Sequence, residues 1–186
     1  VKGMMQELTL GDPQLITTDI GPVIDKSAQK NLDAYIEQMQ VKHKACFQVD
    51  LPRYCDGGTF VKPTLFAVDS IAALKTEQFG PILHVVRFKA KDLDRVVSDI
   101  NDKGYGLTLG VHTRNKTLYE KIASAVNVGN VYVNRNQVGA VVGVNPFGGR
   151  GLSGTGPKAG GPHYLLRFAT EKTISNNLSA IGGNVE

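Results

Sequence analysis

"LHVVRFKAKDLDRVVSDINDKGYGLTLGVHTRNKTLYEKIASAVNVGNVYVN", Leu83 to Asn134, alternates two hydrophobic periods. "LHVVRF" is a short apolar run of strand length. Leu93, Val96, Val97 and Ile100 then recur at helical spacing, with Asp92 as the expected cap and Gly104 as the expected stop. "GLTLGVHT" reads as a second strand. Thr117 and Glu120 have capping-box spacing, Leu118, Ile122, Ala125 and Val126 form another stripe, Gly129 is expected to end it, and "NVYVN" is a third strand. This is a βαβαβ pattern. Strands joined by single helices of this length are parallel with right-handed crossovers. The expected fold class is therefore α/β, an open, mainly parallel sheet with helices on both faces.

Ligands of such sheets bind beyond the carboxyl ends of the strands, where loops and helix N-termini converge. The third strand runs straight into "NRNQVGAVVGVNPFGGRGLSGTGPKAGGPHY", Asn134 to Tyr164, which holds nearly half of the chain's glycines. Gly149, Gly151 and Gly154 spell G-x-G-x-x-G, with Glu171 downstream where a dinucleotide fingerprint would want an acid. That fingerprint needs a helix opening at its last glycines, and Pro157, Gly160, Gly161 and Pro162 forbid one. An irregular, tightly packed loop is expected instead. Small residues such as Gly139 and Ala140 leave backbone N–H groups free to meet an anion, and Phe147 offers an apolar wall. On the loop alone, glycines serving only as turns and Phe147 serving only the core explain the pattern as well.

Toward the N-terminus, Val1, Met4, Met5 and Leu8 fall at roughly helical spacing. Asp25 or Ser27 can cap a helix whose Leu32, Tyr35, Ile36 and Met39 share one face. A turn at Asp56-Gly57-Gly58 precedes a β-prone run in which Pro63 argues against a central strand. Toward the C-terminus, "LLRFATEKTISNN" alternates as a polar strand suited to an edge or to a second chain.

The chain has 186 residues, 41% of them hydrophobic, enough for one substantial core. A net charge of +4, scattered among acids, gives no basic stripe, so nucleic-acid binding is not expected. The apolar run Gln137 to Val144 is too short to cross a bilayer, and Val1 to Leu10 lacks a signal-peptide layout. Cys46 and Cys55, even with His43 nearby, do not make a disulfide framework or closed zinc site. Two reduced thiols in a cytoplasmic protein are expected, with no metal. A chain that opens without Met and inside a helical pattern suggests a piece of something longer.

Four motifs in order, "TEQFGP", "YGLTLGVHTRN", "GNVYVNR" and "PFGGRGLSGTG", resemble the C-terminal, catalytic half of the aldehyde dehydrogenase superfamily. "VNRNQVGAVVGVNPFGGRGLSGTGPKAGGP" is similar to the glutamate-semialdehyde (pyrroline-carboxylate) dehydrogenases, including those fused to a proline-oxidising flavoenzyme. "MMQELTLGDPQLITTDIGPVID" and "TISNNLSAIGGN" extend the likeness to essentially the whole chain. The resemblance implies NAD as cofactor, with Glu77 accepting from the hydroxyls of the nicotinamide ribose and Phe79 packing near the nicotinamide. A core aromatic is the other reading of Phe79. It implies that Gly139 and Ala140 hold the substrate's α-carboxylate through backbone N–H groups, and that Phe147 lies against the aliphatic chain of L-glutamate γ-semialdehyde. FAD is expected only in a separate proline dehydrogenase domain of a parent protein.

Family chemistry runs through a cysteine thiolate and a glutamate base. Neither Cys46 nor Cys55 stands in a comparable loop, so no catalytic residue is assigned here, and the nucleophile and base are expected upstream of Val1. Cys55, in its "RYCDGG" turn, reads as an incidental exposed thiol. Residues 1–165 are expected to form a partial catalytic domain, and 166–186 an oligomerisation strand and tail joining homo-oligomers. The expected activity is that of an NAD-dependent semialdehyde dehydrogenase in proline catabolism. The alternative is a non-catalytic assembly domain of the same fold.

Overall fold

The computed structural model describes residues 1–43, 46–141 and 143–181. Two compact units divide the chain, Val1–Asp99 and Ile100–Glu186.

In the first unit, α1 (Lys2–Gln6) is short and α2 (Lys26–Lys42) long. Asp25 opens α2 as expected, its carboxylate accepting from the Ala28 N–H at 2.7 Å. Strands β1 (Cys46–Gln48), β2 (Thr64–Val68) and β3 (Ile82–Val86) form one sheet in that order. β1 is antiparallel to β2, and β2 is parallel to β3, with Thr64 opposite Ile82 and Val68 opposite Val86. Leu32, Ile36 and Met39 come from the expected face of α2 and bury themselves with Val61, Phe66 and Val68. Phe66 is wholly inaccessible; a side chain of that size contributes roughly 2–3 kcal/mol on burial.

Pro63 does not keep β2 from the centre of its sheet. The ladder begins one residue later, at Thr64, so the missing N–H is never needed, while the Pro63 carbonyl accepts from Val49 N at 3.0 Å. Buried Thr64 is satisfied on its side chain as well, donating to the Lys62 carbonyl at 2.8 Å and accepting from Gln48 at 3.1 Å.

A polar seam crosses this core. Tyr35 of α2 meets His84 of β3, hydroxyl to Nε2, at 2.8 Å, and His84 stacks on Phe66 with ring centroids 6.0 Å apart. Burial holds the Tyr35 phenol above its ordinary range and the His84 imidazole below its own, the latter helped by the neighbouring charge of His43. Both groups are therefore held in their neutral forms, and the His84 tautomer sets which of the two donates.

Cys55 is a correction to the sequence reading. It is buried, not exposed, in a small cluster with Leu10 and Phe60, because a tight turn at Arg53–Cys55 folds the thiol inward. Burial, with Asp56 beside it, raises the thiol's pKa.

The unit boundary falls inside α3 (Leu93–Asp102). Asp92 is not its cap: residues Ala90–Asp92 already form a 3-10 turn running into α3, and the extended residue before that turn is Lys89. Asp92 instead places negative charge in the first turn. Gly104, at φ +75, follows the helix as the expected stop.

In the second unit, β5 (Thr108–Val111) and β6 (Asn130–Val133) pair in parallel across α4 (Lys116–Ala125), as expected. β4 (Tyr105–Gly106) pairs antiparallel with β7 (Arg150–Gly151). The single three-strand sheet read from the sequence is not what the ladders show: β3 pairs with β2, and β5 with β6. β2 offers β3 a full five-residue register, a partner the period of the later segment could not reveal. Asn115, not Thr117, caps α4, accepting from Leu118 N at 3.0 Å. Its far end is closed before Gly129, at Val126, where Asn101 donates to the Ala125 carbonyl at 2.9 Å and accepts from Asn127 N at 2.7 Å.

The expected C-terminal strand also differs. Leu165–Phe168 forms a 3-10 turn, and residues 169–177 are exposed and carry no ladder with any of the described residues. Residues 182–186, assigned to the same tail, lie outside the described residues.

Two predictions follow from the first unit. Since the folded pKa of His84 lies below its unfolded value near 6.5, its contribution to stability is complete above that pH and is lost as pH falls toward the folded value. Urea unfolding at pH 7.5 and pH 5 should show a larger acid loss for the wild type than for His84→Gln, and equal losses would refute the linkage. Iodoacetamide labelling read by peptide mass spectrometry should leave Cys55 unmodified until the chain is unfolded; rapid native labelling contradicts its burial.

Candidate functional site

The glycine-rich segment is held down by side chains at the start of β6. Gly129 lies so close to the Gly148 carbonyl that a Cβ there would stand 1.7 Å from the oxygen. Only a hydrogen fits. The Asn130 amide donates to the Pro146 carbonyl at 3.1 Å and accepts from Gly148 N at 3.4 Å. Lys158 reaches back to the Gly129 carbonyl and to Asn130 Oδ1, the latter at 3.1 Å. Phe147 and Ala159 exchange both backbone hydrogen bonds, at 3.0 and 2.9 Å. Ser153 accepts from Gly106 N at 3.1 Å, and the backbones of Gly149 and Ser153 touch where a Cβ would intrude to 2.5 Å. Gly149, Gly151 and Gly154 thus serve close backbone packing and lead into turns, as the rejection of the dinucleotide fingerprint expected; Glu171 is exposed.

Between β6 and this packed part lies the stretch from Asn134 to Asn145. Asn134, at φ 54, prolongs the β5–β6 pairing with its side chain, accepting from Thr113 N and donating to Thr113 O, each at 2.9 Å. Gln137 folds over β5, accepting from Thr108 Oγ1 at 3.0 Å, and occupies the space a side chain at Gly110 would need. Gly139 follows at φ +81, a backbone conformation that favours glycine. Neither the Gly139 nor the Ala140 N–H has an acceptor among the described residues. The chain then turns back, with Val144 N and Asn145 N both donating to the Val141 carbonyl. Val142 lies outside the described residues.

Phe147 is 36% exposed, so its ring is only partly given over to packing. An apolar side chain of this size, fixed by its backbone bridge and still accessible, can flank an aliphatic ligand.

Glu77 and Phe79 stand in the first unit, on the connection from β2 to β3. Thr64 N donates to the Pro81 carbonyl at 2.9 Å, which places Glu77 to Gly80 beside the amino ends of this parallel pair. The carboxyl ends open instead on a pocket of about 540 Å³ bordered by Lys42, His43, Asp69 and Arg87. The general rule for open sheets would have directed attention there. Gly80 abuts Leu32 of α2, where a Cβ would meet a methyl at 2.6 Å, so the motif's glycine is set by core packing. Glu77 is exposed and its carboxylate has no hydrogen-bond or ion-pair partner among the described residues. Phe79 is 81% exposed, which overturns its reading as a core aromatic.

Sequence reasoning missed Asn130, Ser153 and Lys158. One signal was present: Lys158 is the sole lysine or arginine between Arg150 and Arg167, in a segment rich in glycine and without acids. Among the described residues, no helix is long and apolar enough to cross a membrane, and no three metal-ligating side chains cluster.

Comparison with known proteins agrees with these motifs. Residues 1–174 match the Aldehyde dehydrogenase family. The bifunctional protein PutA of Klebsiella aerogenes is 51% identical over 177 residues, covering 92% of this chain and 14% of that protein. A 1-pyrroline-5-carboxylate dehydrogenase of a Geobacillus species is 41% identical over 174 residues, covering 92% of this chain and 33% of its own. A crystal structure of a mutant of Bradyrhizobium japonicum proline utilization A (PutA) superposes with a TM-score of 0.88 at 52% identity, covering 97% of this chain and 18% of that one. The chain therefore spans only a fraction of the length of these relatives. Motifs, fold and similarity over nearly its full length place it in one group: the chain belongs to the aldehyde dehydrogenase family.

Proposed function

We propose that this chain supplies the substrate-carboxylate loop and the ribose-binding acid of an NAD-dependent L-glutamate γ-semialdehyde dehydrogenase, which forms L-glutamate in proline catabolism. The observation that carries this reading is the pair of amides at Gly139 and Ala140, without acceptors among the described residues. Backbone donors without side chains in front of them suit a carboxylate, and such bonds to a charged acceptor are stronger than neutral ones. Names among the relatives, PutA and 1-pyrroline-5-carboxylate dehydrogenase, support the same substrate.

The residues present fit NAD. A carboxylate with both oxygens unengaged can accept from two vicinal ribose hydroxyls, and Glu77 is such a group. Phe79 exposes a ring that can limit the position of a planar heterocycle. When bound, NAD supplies the hydride acceptor. Phe147 flanks the aliphatic part of the substrate and excludes water from it. These contacts orient; they do not break a bond. Cys55, buried and with a raised pKa, is unsuited to nucleophilic attack, and neither it nor Cys46 stands in a sequence like the family's nucleophile loop, so the covalent step is assigned to a thiolate outside these 186 residues.

Residues 169–177 support a further element of this reading. They are exposed, with Ile174 at 79%, and the backbone of residues 170–176, without a hydrogen-bond partner among the described residues, suits strand addition to a second copy, giving a homo-oligomer. An assembly role alone would leave the unpaired Glu77 carboxylate without a purpose, which favours the enzyme.

Enlarging residue 140 tests the carboxylate loop. In the full-length enzyme, Ala140→Leu should raise KM for the semialdehyde about tenfold, the scale of one charge-assisted hydrogen bond, with KM for NAD and turnover of an uncharged aldehyde such as propanal little altered. An unchanged KM removes the assignment. The 186-residue chain by itself should show no aldehyde-dependent reduction of NAD at 340 nm. Turnover at the full-length rate would contradict the placement of the nucleophile elsewhere.

A further inference from the structure

Lys158 is a cation without a carboxylate partner among the described residues. It is half-buried, and its ammonium is spent on a backbone carbonyl, Gly129 O, and an amide oxygen, Asn130 Oδ1. An ammonium is strongly hydrated, so partial withdrawal from water carries a cost that its bonds to these two oxygens must offset. What they hold is a closed ring of hydrogen bonds. Lys158 bonds Asn130, Asn130 bonds the Pro146 carbonyl, and Phe147, the next residue, is joined in both directions to Ala159, the neighbour of Lys158. The aliphatic stem of Lys158 lies against Gly148 inside that ring.

We propose that Lys158 is a positioning residue that sets where the Phe147 ring stands, and through it the selectivity for the semialdehyde's aliphatic chain. The inference rests on the substrate role of Phe147 given above and adds the element that fixes it. Phe147 is partly exposed and sits between Pro146 and Gly148, so its place depends on the clamp rather than on a surrounding core. Without the ammonium, the segment at Ala159 loses its direct tie to the start of β6 and is held only through its bridge to Phe147, so the ring is less firmly placed while the β5–β6 pair remains.

The test uses the full-length enzyme with Lys158→Met, which keeps the apolar stem, Lys158→Arg, Phe147→Ala and the Lys158→Met/Phe147→Ala double variant. Lys158→Met should raise KM for the semialdehyde about tenfold, leave KM for NAD and the melting temperature near wild type, and lower the preference for the semialdehyde over propanal; Lys158→Arg should restore part of it. The double variant should be no worse than Phe147→Ala. Additive losses, or an equal loss for every aldehyde, overturn the proposal. Amide hydrogen exchange of residues 146–149 separates the two layers: a raised KM in Phe147→Ala with exchange unchanged in Lys158→Met sinks the clamp alone. An unchanged KM in Phe147→Ala sinks the substrate role of Phe147 and the selectivity role of Lys158 with it. If Lys158→Met does not fold, Asn130→Ser opens the same ring at another corner, and the same outcomes decide.

Discussion

The approach of the Gly129 backbone to the Gly148 carbonyl governs the second unit. A methyl group there would stand 1.7 Å from the oxygen, so the loop can descend onto the start of β6 only because position 129 carries no side chain. Once it descends, the Asn130 amide comes within reach of Pro146 and Gly148, and Lys158 within reach of both Gly129 and Asn130. Each of these bonds satisfies a polar group that packing has withdrawn from water. The contrast with the stretch around Gly139 and Ala140 is a consequence. In the packed part Phe147, Gly148 and Ala159 commit their amides, whereas those of Gly139 and Ala140 have no acceptor among the described residues.

The first unit obeys a similar constraint from another direction. Helix α2 lays Leu32, Ile36 and Met39 on β2, and Leu32 presses on Gly80 at the end of the connection that carries Glu77 and Phe79. The apolar contact holds the base of this connection, leaving its acid and its aromatic ring exposed. The Tyr35–His84 bond crosses the same helix-sheet interface, where the low-dielectric surroundings keep both groups neutral and make the bond worth keeping.

Errors in reading the sequence came from places where two residues could do one job. Thr117 with Glu120 matched a capping box, yet Asn115 stood two residues earlier with an equally suitable oxygen, and local pattern cannot choose between them. Asp92 was displaced as cap because a 3-10 turn had already begun before it. Pro63 argued against a central strand only if the ladder included it, and the ladder starts at Thr64. Cys55 was read as exposed from its turn, while burial depended on Phe60, beyond that turn, and on Leu10, far away in sequence.

Sequence by itself determined the periodic elements: the apolar face of α2, the two stripes of α3 and α4, the parallel sense of β5 and β6, and the family motifs with Glu77, Phe79, Gly139, Ala140 and Phe147. These depend on short-range spacing or on strings of residues read in order. Tertiary structure alone decided that β3 pairs with β2, that Cys55 is buried, that the Gly139 and Ala140 amides meet no acceptor among the described residues, and that Asn130 and Lys158 bond the loop to the start of β6. The physical reason is range. A helix or strand period is set by neighbours within a turn or two, whereas a hydrogen bond between residues 28 apart exists only after the backbone between them has taken its path.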